Sequence, residues 1–129
     1  MKTRMTLEIG TRLVDAAVAG ALKRQTAVSV AVVDAAGQLV SMKRMDGALP
    51  ASAELCRVKA ETVTLFGMPT RDLATASAIS SALSRPVALF GGGVPLRADG
   101  QLVGALGVAG GMPDHDHEIA AAAAAAEAL

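Results

Sequence analysis

Leu89-Phe90-Gly91-Gly92-Gly93-Val94-Pro95-Leu96, then Arg97-Ala98-Asp99-Gly100, then Gln101-Leu102-Val103-Gly104-Ala105-Leu106-Gly107-Val108-Ala109-Gly110-Gly111, decides how this chain folds. Two apolar runs flank an Asp-Gly pair, which predicts a β-hairpin because Gly accepts the positive φ that the turn needs. Gly91, Gly92 and Gly93 strip the side chains from the backbone just before the hairpin. A ligand, a neighbouring strand or another subunit is expected to approach closely there, and a bulged, tightly packed strand is the competing reading. The triplet is no nucleotide fingerprint. It lacks G-x-G-x-x-G spacing and a Gly-Lys-Ser/Thr ending, and it leads into a strand rather than a helix N-terminus.

A second hairpin precedes it. Val28, Val30, Val32 and Val33 are β-branched, and both faces of Ala27 to Asp34 are apolar, so this strand is expected to be central. Asp34-Ala35-Ala36-Gly37 turns the chain into a return strand, Gln38 to Met45. Ala35 to Val40 matches Ala98 to Val103 at five of six positions, which convergent turn chemistry explains as well as duplication does.

Helices flank these strands. Met5, Ile9, Leu13 and Ala17 recur at helical spacing, predicting a helix from Leu7 to Lys23 capped by Thr6. Pro50 to Leu65 reads as a second helix stopped by Gly67, and Arg71 to Ser80 as a third capped by Thr70. Val87 to Leu89 reads as a short strand. Pro113 opens a last, alanine-rich helix, Asp114 to Leu129. The predicted fold class is α/β (α+β): one domain over 1–129, an antiparallel sheet of about five strands, and the first and last helices on one face.

Composition excludes several functions. Formal net charge is zero and Phe66 and Phe90 are the only aromatics, which argues against nucleic acid and acidic membrane surfaces. The single cysteine, Cys56, suits a reducing cytoplasm and reads as a core residue. No signal peptide is visible from Met1 to Thr6, and no apolar run reaches the ~20 residues a bilayer span needs. The apolar half of the chain is mostly Ala and Val, and that small-residue surface points to a homo-oligomer, tetramer or larger.

Few residues can carry chemistry. His115 and His117 are the only histidines, set among Asp114, Asp116 and Glu118. On a helix the two histidines point about 200° apart and cannot share one metal ion, whereas Asp114 lies within reach of His117. Asp114 with His117, or Asp114 with Glu118, is the pairing one ion can take from this helix; Asp114, His115 and His117 are the candidate residues for divalent metal, with a solvated first turn as the competing reading. His115 shares a face with Ile119 and Ala122, so it is the histidine expected to face a pocket. Arg44 and Asp46 share a strand face and suit a ligand carboxylate. Lys59 sits among apolar positions and needs a partner, for which Asp34 and Asp46 are the candidates. The expected ligand site gathers Arg44, Asp46, Lys59, Phe90, Gly91, Gly92, Gly93 and the start of the last helix.

Ala31-Val32-Val33-Asp34-Ala35-Ala36-Gly37, Arg44-Met45-Asp46-Gly47-Ala48, Lys59-Ala60, Phe66-Gly67-Met68-Pro69-Thr70, Phe90-Gly91-Gly92-Gly93-Val94-Pro95 and Gly104 to Gly111 together resemble the GlcG/HbpS-like family. That family includes a bacterial haem-binding protein and the C-terminal domain of PduO-type proteins. The resemblance runs in order through nearly the whole chain. It implies a profilin-like α/β domain, assembly into higher oligomers, and haem or another small ligand. This chain departs from the pattern at His115-Asp116-His117, where the family carries a Gln-Asp-Glu type sequence and Asp116 is the matching acid. It departs again at Ala74 to Arg85, which is polar where the family is glycine-rich.

Three functions fit these residues. One is a small-ligand-binding protein that takes haem or a related cofactor through His115 or His117. Another is a small catabolic enzyme (isomerase, lyase or hydrolase), with Arg44 holding a substrate carboxylate and His115, His117 or Asp116 acting as acid or base. The third is a non-catalytic oligomeric accessory protein.

Overall fold

The computed structural model describes residues 4–129; Met1, Lys2 and Thr3, part of the stretch read for a signal peptide, lie outside them. Helix α1, Leu7–Lys23, begins where predicted, with the Ile9 N–H donating to the Thr6 hydroxyl at 3.1 Å. The strands are β1, Ser29–Asp34; β2, Leu39–Arg44; β3, Gly93–Ala98; and β4, Gln101–Ala109. They form one antiparallel sheet in the order β2-β1-β4-β3, so β1 is central as its two apolar faces require. Asp99 (φ 51°) and Gly100 (φ 79°) turn the β3–β4 hairpin, both in the left-handed region that a tight hairpin turn demands.

The described sheet has four strands, not about five. Val87 to Leu89 is not a strand, because the Ala88 N–H donates to the Thr62 hydroxyl at 3.0 Å and not to a neighbouring strand. The third helix is also different. Thr70–Leu73 makes a 3-10 turn and Ser77–Ser80 a single-turn helix, α3. Thr70 does not cap a helix; its buried hydroxyl accepts the Gly93 N–H at 2.9 Å and ties that turn to β3.

Helices cover both faces of the sheet. Val30 and Val32 of β1 and Leu106 and Val108 of β4 point into a core with Leu13, Val14 and Ala17 of α1. Ile119, Ala120 and Ala123 of α4, Pro113–Ala126, complete that core. The first and last helices thus share one face, as expected. Helix α2, Ser52–Phe66, lies on the other face, and Gly67 (φ 73°) ends it with an N–H returned to the Val63 carbonyl at 2.7 Å. Under α2 the sheet presents Ala31, Val33, Ala105, Gly107 and Ala109. A Cβ on Gly107 would overlap the Cys56 carbonyl oxygen, so α2 rests on bare sheet backbone there. No described helix is long and apolar enough to cross a membrane.

Candidate functional site

Because α2 rests so close to β4, its inward face meets the sheet where β4 runs into α4. Lys59 lies there, its side chain 1% exposed. Its ammonium donates to the Val108 carbonyl at 2.9 Å and to Asp116 Oδ2 at 3.2 Å, and it stands 5.1 Å from the centre of the Phe90 ring. The partner of Lys59 is therefore Asp116, 1% exposed, and neither Asp34 nor Asp46. Asp34 is occupied in the β1–β2 turn, where its Oδ1 accepts the Ala36 and Gln38 N–H groups, each at 3.0 Å. The other oxygen of Asp116 accepts the Gly111 N–H at 3.0 Å, which pins the entry of α4. Burial pushes the Lys59 amine below the usual lysine range, against the opposing pull of the Asp116 charge.

The glycine triplet serves this arrangement from within. A Cβ on Gly92 (φ 136°) would overlap the Val108 carbonyl oxygen and come within 2.6 Å of Lys59 Nζ. On Gly93 it would meet the Lys59 carbonyl oxygen at 2.7 Å, and on Gly91 the Pro113 carbonyl oxygen at 2.5 Å. The close approach that the triplet predicts is made by α2, β4 and α4, and all three glycines are buried. In place of a wide pocket there is a cavity of about 100 Å³, whose walls include Lys59, Asp116, Phe90, Gly110, Gly111 and Leu55.

Arg44 and Asp46 do not join it. Arg44 donates to the Ala48 carbonyl at 3.0 Å, and both residues line a separate shallow cleft against Val18 and Leu22 of α1. The reason is the strand order: Arg44 ends the edge strand β2, two strands away from β4, whose Val108 carbonyl holds Lys59.

The histidines part company as the helical period requires, but with the roles exchanged. His115 is exposed and lies beside Arg24, Thr26 and Glu118, away from the Lys59 cavity. His117 is the buried one, 7% exposed, because α4 sets its Asp116 and Ala120 face toward the sheet and Gly91 lets the helix start sit close. Its Nδ1 is buried without a hydrogen-bond partner. Asp114 is exposed, and among the described residues no three His, Cys, Asp or Glu side chains come together to hold a metal ion. The metal set of Asp114, His115 and His117 is thus not assembled within one chain. Cys56 is buried, its thiol pushed up to about 12 by burial, so it is no nucleophile at neutral pH.

Burial holds His117 below its ordinary value; Arg71 adds to this, while Asp72, Glu118 and Asp114 pull the other way. A neutral buried imidazole that must charge on unfolding favours the folded state above about pH 6.5, and that contribution is lost as pH falls through the lowered folded value. Urea midpoints are therefore expected to drop between pH 7 and pH 5, and the slope to flatten in His117→Leu; an unchanged slope would show that His117 does not carry it.

The sequence signal for the Lys59–Asp116 pair is the stripe Asp116, Ile119, Ala120, Ala123 at i, i+3, i+4, i+7, a buried face whose first member is a carboxylate.

Known proteins share this architecture. Residues 5–125 match the family described as haem degrading protein HbpS-like. The chain is 38% identical over 122 residues to the corrinoid adenosyltransferase PduO of Salmonella typhimurium, covering 89% of this chain and only 36% of that longer protein. It is 32% identical over 113 residues to protein GlcG of Escherichia coli, covering 84% of each. Among solved structures, the PduOC:haem complex superposes with a TM-score of 0.91 at 35% identity, covering 97% of this chain and 96% of that one. A double mutant of Streptomyces reticuli HbpS gives 0.91 at 37% identity, covering 100% of this chain and 90% of that one. With a match that runs from the start of α1 through nearly all of α4, this chain belongs to the HbpS-like family.

Proposed function

We propose that this protein binds haem in the groove between α1 and α4, with His115 as the iron ligand. The observation that carries the reading is the stripe His115, Ile119, Ala122 and Ala126, which follows one face of α4 at helical spacing. Three of its members line a groove of about 550 Å³ opposite Ala16, Ala19 and Gly20 of α1, and His115 lines a hollow just beyond it. Arg24 borders both spaces. The volume lies within the range of small-molecule sites, roughly 300–1,000 Å³.

The donor set fits the group. An exposed imidazole is an ordinary axial ligand for haem iron. Alanines and a glycine make a flat apolar bed for a planar macrocycle. Lys23, at the end of α1, supplies a cation for a propionate, and Arg24, paired with Glu118 at 2.7 Å, supplies a second on exchanging that carboxylate for the ligand's. Haem bound there would bring one-electron and oxygen chemistry. The PduOC:haem complex, matched over 97% of this chain, supports the same ligand class.

Titration of the pure protein with haemin tests this. A saturable, shifted Soret band is expected for the native chain, with affinity weakened at least tenfold in His115→Ala and unchanged in His117→Leu. A spectrum that never departs from free haemin, or a shift indifferent to His115→Ala, overturns the reading.

A further inference from the structure

The Lys59–Asp116 pair takes no part in the haem groove, and its placement is costly. Two ions, each 1% exposed, have been withdrawn from water, and such a pair contributes little net stability over an apolar pair of the same shape. Yet both line a cavity of about 100 Å³, roughly three times the share of one molecule in liquid water. Phe90 and Leu55 supply its apolar walls, and Phe90 is 42% exposed, so this wall faces solvent. The cavity thus holds a desolvated amine, a carboxylate 3.2 Å from it to exchange its proton, and room for a few heavy atoms. That is the equipment of an amine that forms a covalent adduct with a carbonyl compound.

We propose that Lys59 captures small aldehydes as an imine within this cavity, with Asp116 as the proton carrier. Asp116 Oδ2 first takes one proton from the ammonium. The freed nitrogen lone pair forms an N–C bond to the carbonyl carbon while the C=O π pair moves to oxygen. A second proton passes from nitrogen to that oxygen, giving a carbinolamine. Asp116 then returns its proton to the hydroxyl, which departs as water as the nitrogen lone pair closes the C=N bond. Two of the three ammonium protons leave in the water, and the third stays on the iminium nitrogen opposite the Asp116 carboxylate. Charge in the cavity is the same before and after, so no oxidant or reductant is needed. The size of the cavity restricts the partner to a short aliphatic chain.

Reductive trapping tests this on the native protein. Propanal with cyanoborohydride at pH 7, followed by peptide mapping, compares Lys59 with Lys23 and Lys43, both exposed. Lys59 is expected to be alkylated at least tenfold faster than either, and a bulky aromatic aldehyde is expected to spare it. Alkylation confined to Lys23 and Lys43, or equal rates at all three, overturns the proposal. So does equal labelling of Lys59 by the bulky aldehyde, which would show access by local unfolding and not through the cavity. Haemin binding reads a different site, so failure of either test leaves the other standing.

Discussion

Asp116→Ala is expected to remove about 3–5 kcal/mol of folding stability, the cost of leaving one partner of a buried ion pair without the other. The ammonium of Lys59 would keep only the Val108 carbonyl and the Phe90 ring it stands over, with its side chain 1% exposed. The Gly111 N–H would lose its acceptor at the same time, loosening the entry to α4. Urea unfolding measures this as a lower midpoint at constant slope. Removing both charges together, as Lys59→Met with Asp116→Leu, is expected to recover most of the loss, since an apolar pair in the same space costs no desolvation. A loss under about 1 kcal/mol in Asp116→Ala would mean that the cavity already hydrates the ammonium, because breaking a dry pair costs several times that. This dual part in the fold also bears on the expectation that Asp116 acts as acid or base: loss of function in its variants has to be separated from loss of structure.

Gly107→Val is expected to abolish the folded protein, and Gly107→Ala to cost about 3 kcal/mol, the upper end for overpacking a core. The first atom a Cβ there meets is the Cys56 carbonyl oxygen, and the next is the Ala60 amide nitrogen at 2.9 Å. Both belong to the backbone of α2, so no side chain can swing aside and the whole helix has to lift from β4. Lifting α2 also withdraws Lys59 from Asp116, so the two losses compound. Gly20→Ala is the matched control. A Cβ there meets nothing nearer than Ile119 Cγ2 at 3.9 Å, and the substitution relieves a helix interior of glycine, a gain of roughly 0.5–1 kcal/mol. Circular dichroism and urea midpoints of the three variants check the ordering; a Gly107→Ala protein as stable as the native chain would show that α2 is not held against the sheet.

Elements that depend on local chemistry are legible in the amino-acid order alone. Thr6 as a cap, Gly67 as a stop and Asp99-Gly100 as a hairpin turn each act within a few residues, and periodic apolar patterns name the buried faces of α1 and β1. The resemblance carried by the glycine-rich motifs named the family as well. Local patterning also showed that Lys59 needed a partner and that only one histidine faces inward. The tertiary structure decided which partner and which histidine. Asp116 lies 57 residues from Lys59, and only the seating of α4 against β4 brings them together. The same seating turns His117 inward and leaves His115 beside α1, through a rotation of the helix that its sequence marks only by Ile119, since the alanines around it present nearly the same face all round. Likewise the triplet Gly91 to Gly93 announces a close approach, but a missing side chain carries no record of what fills its place, and packing alone shows that Lys59 and the start of α4 do.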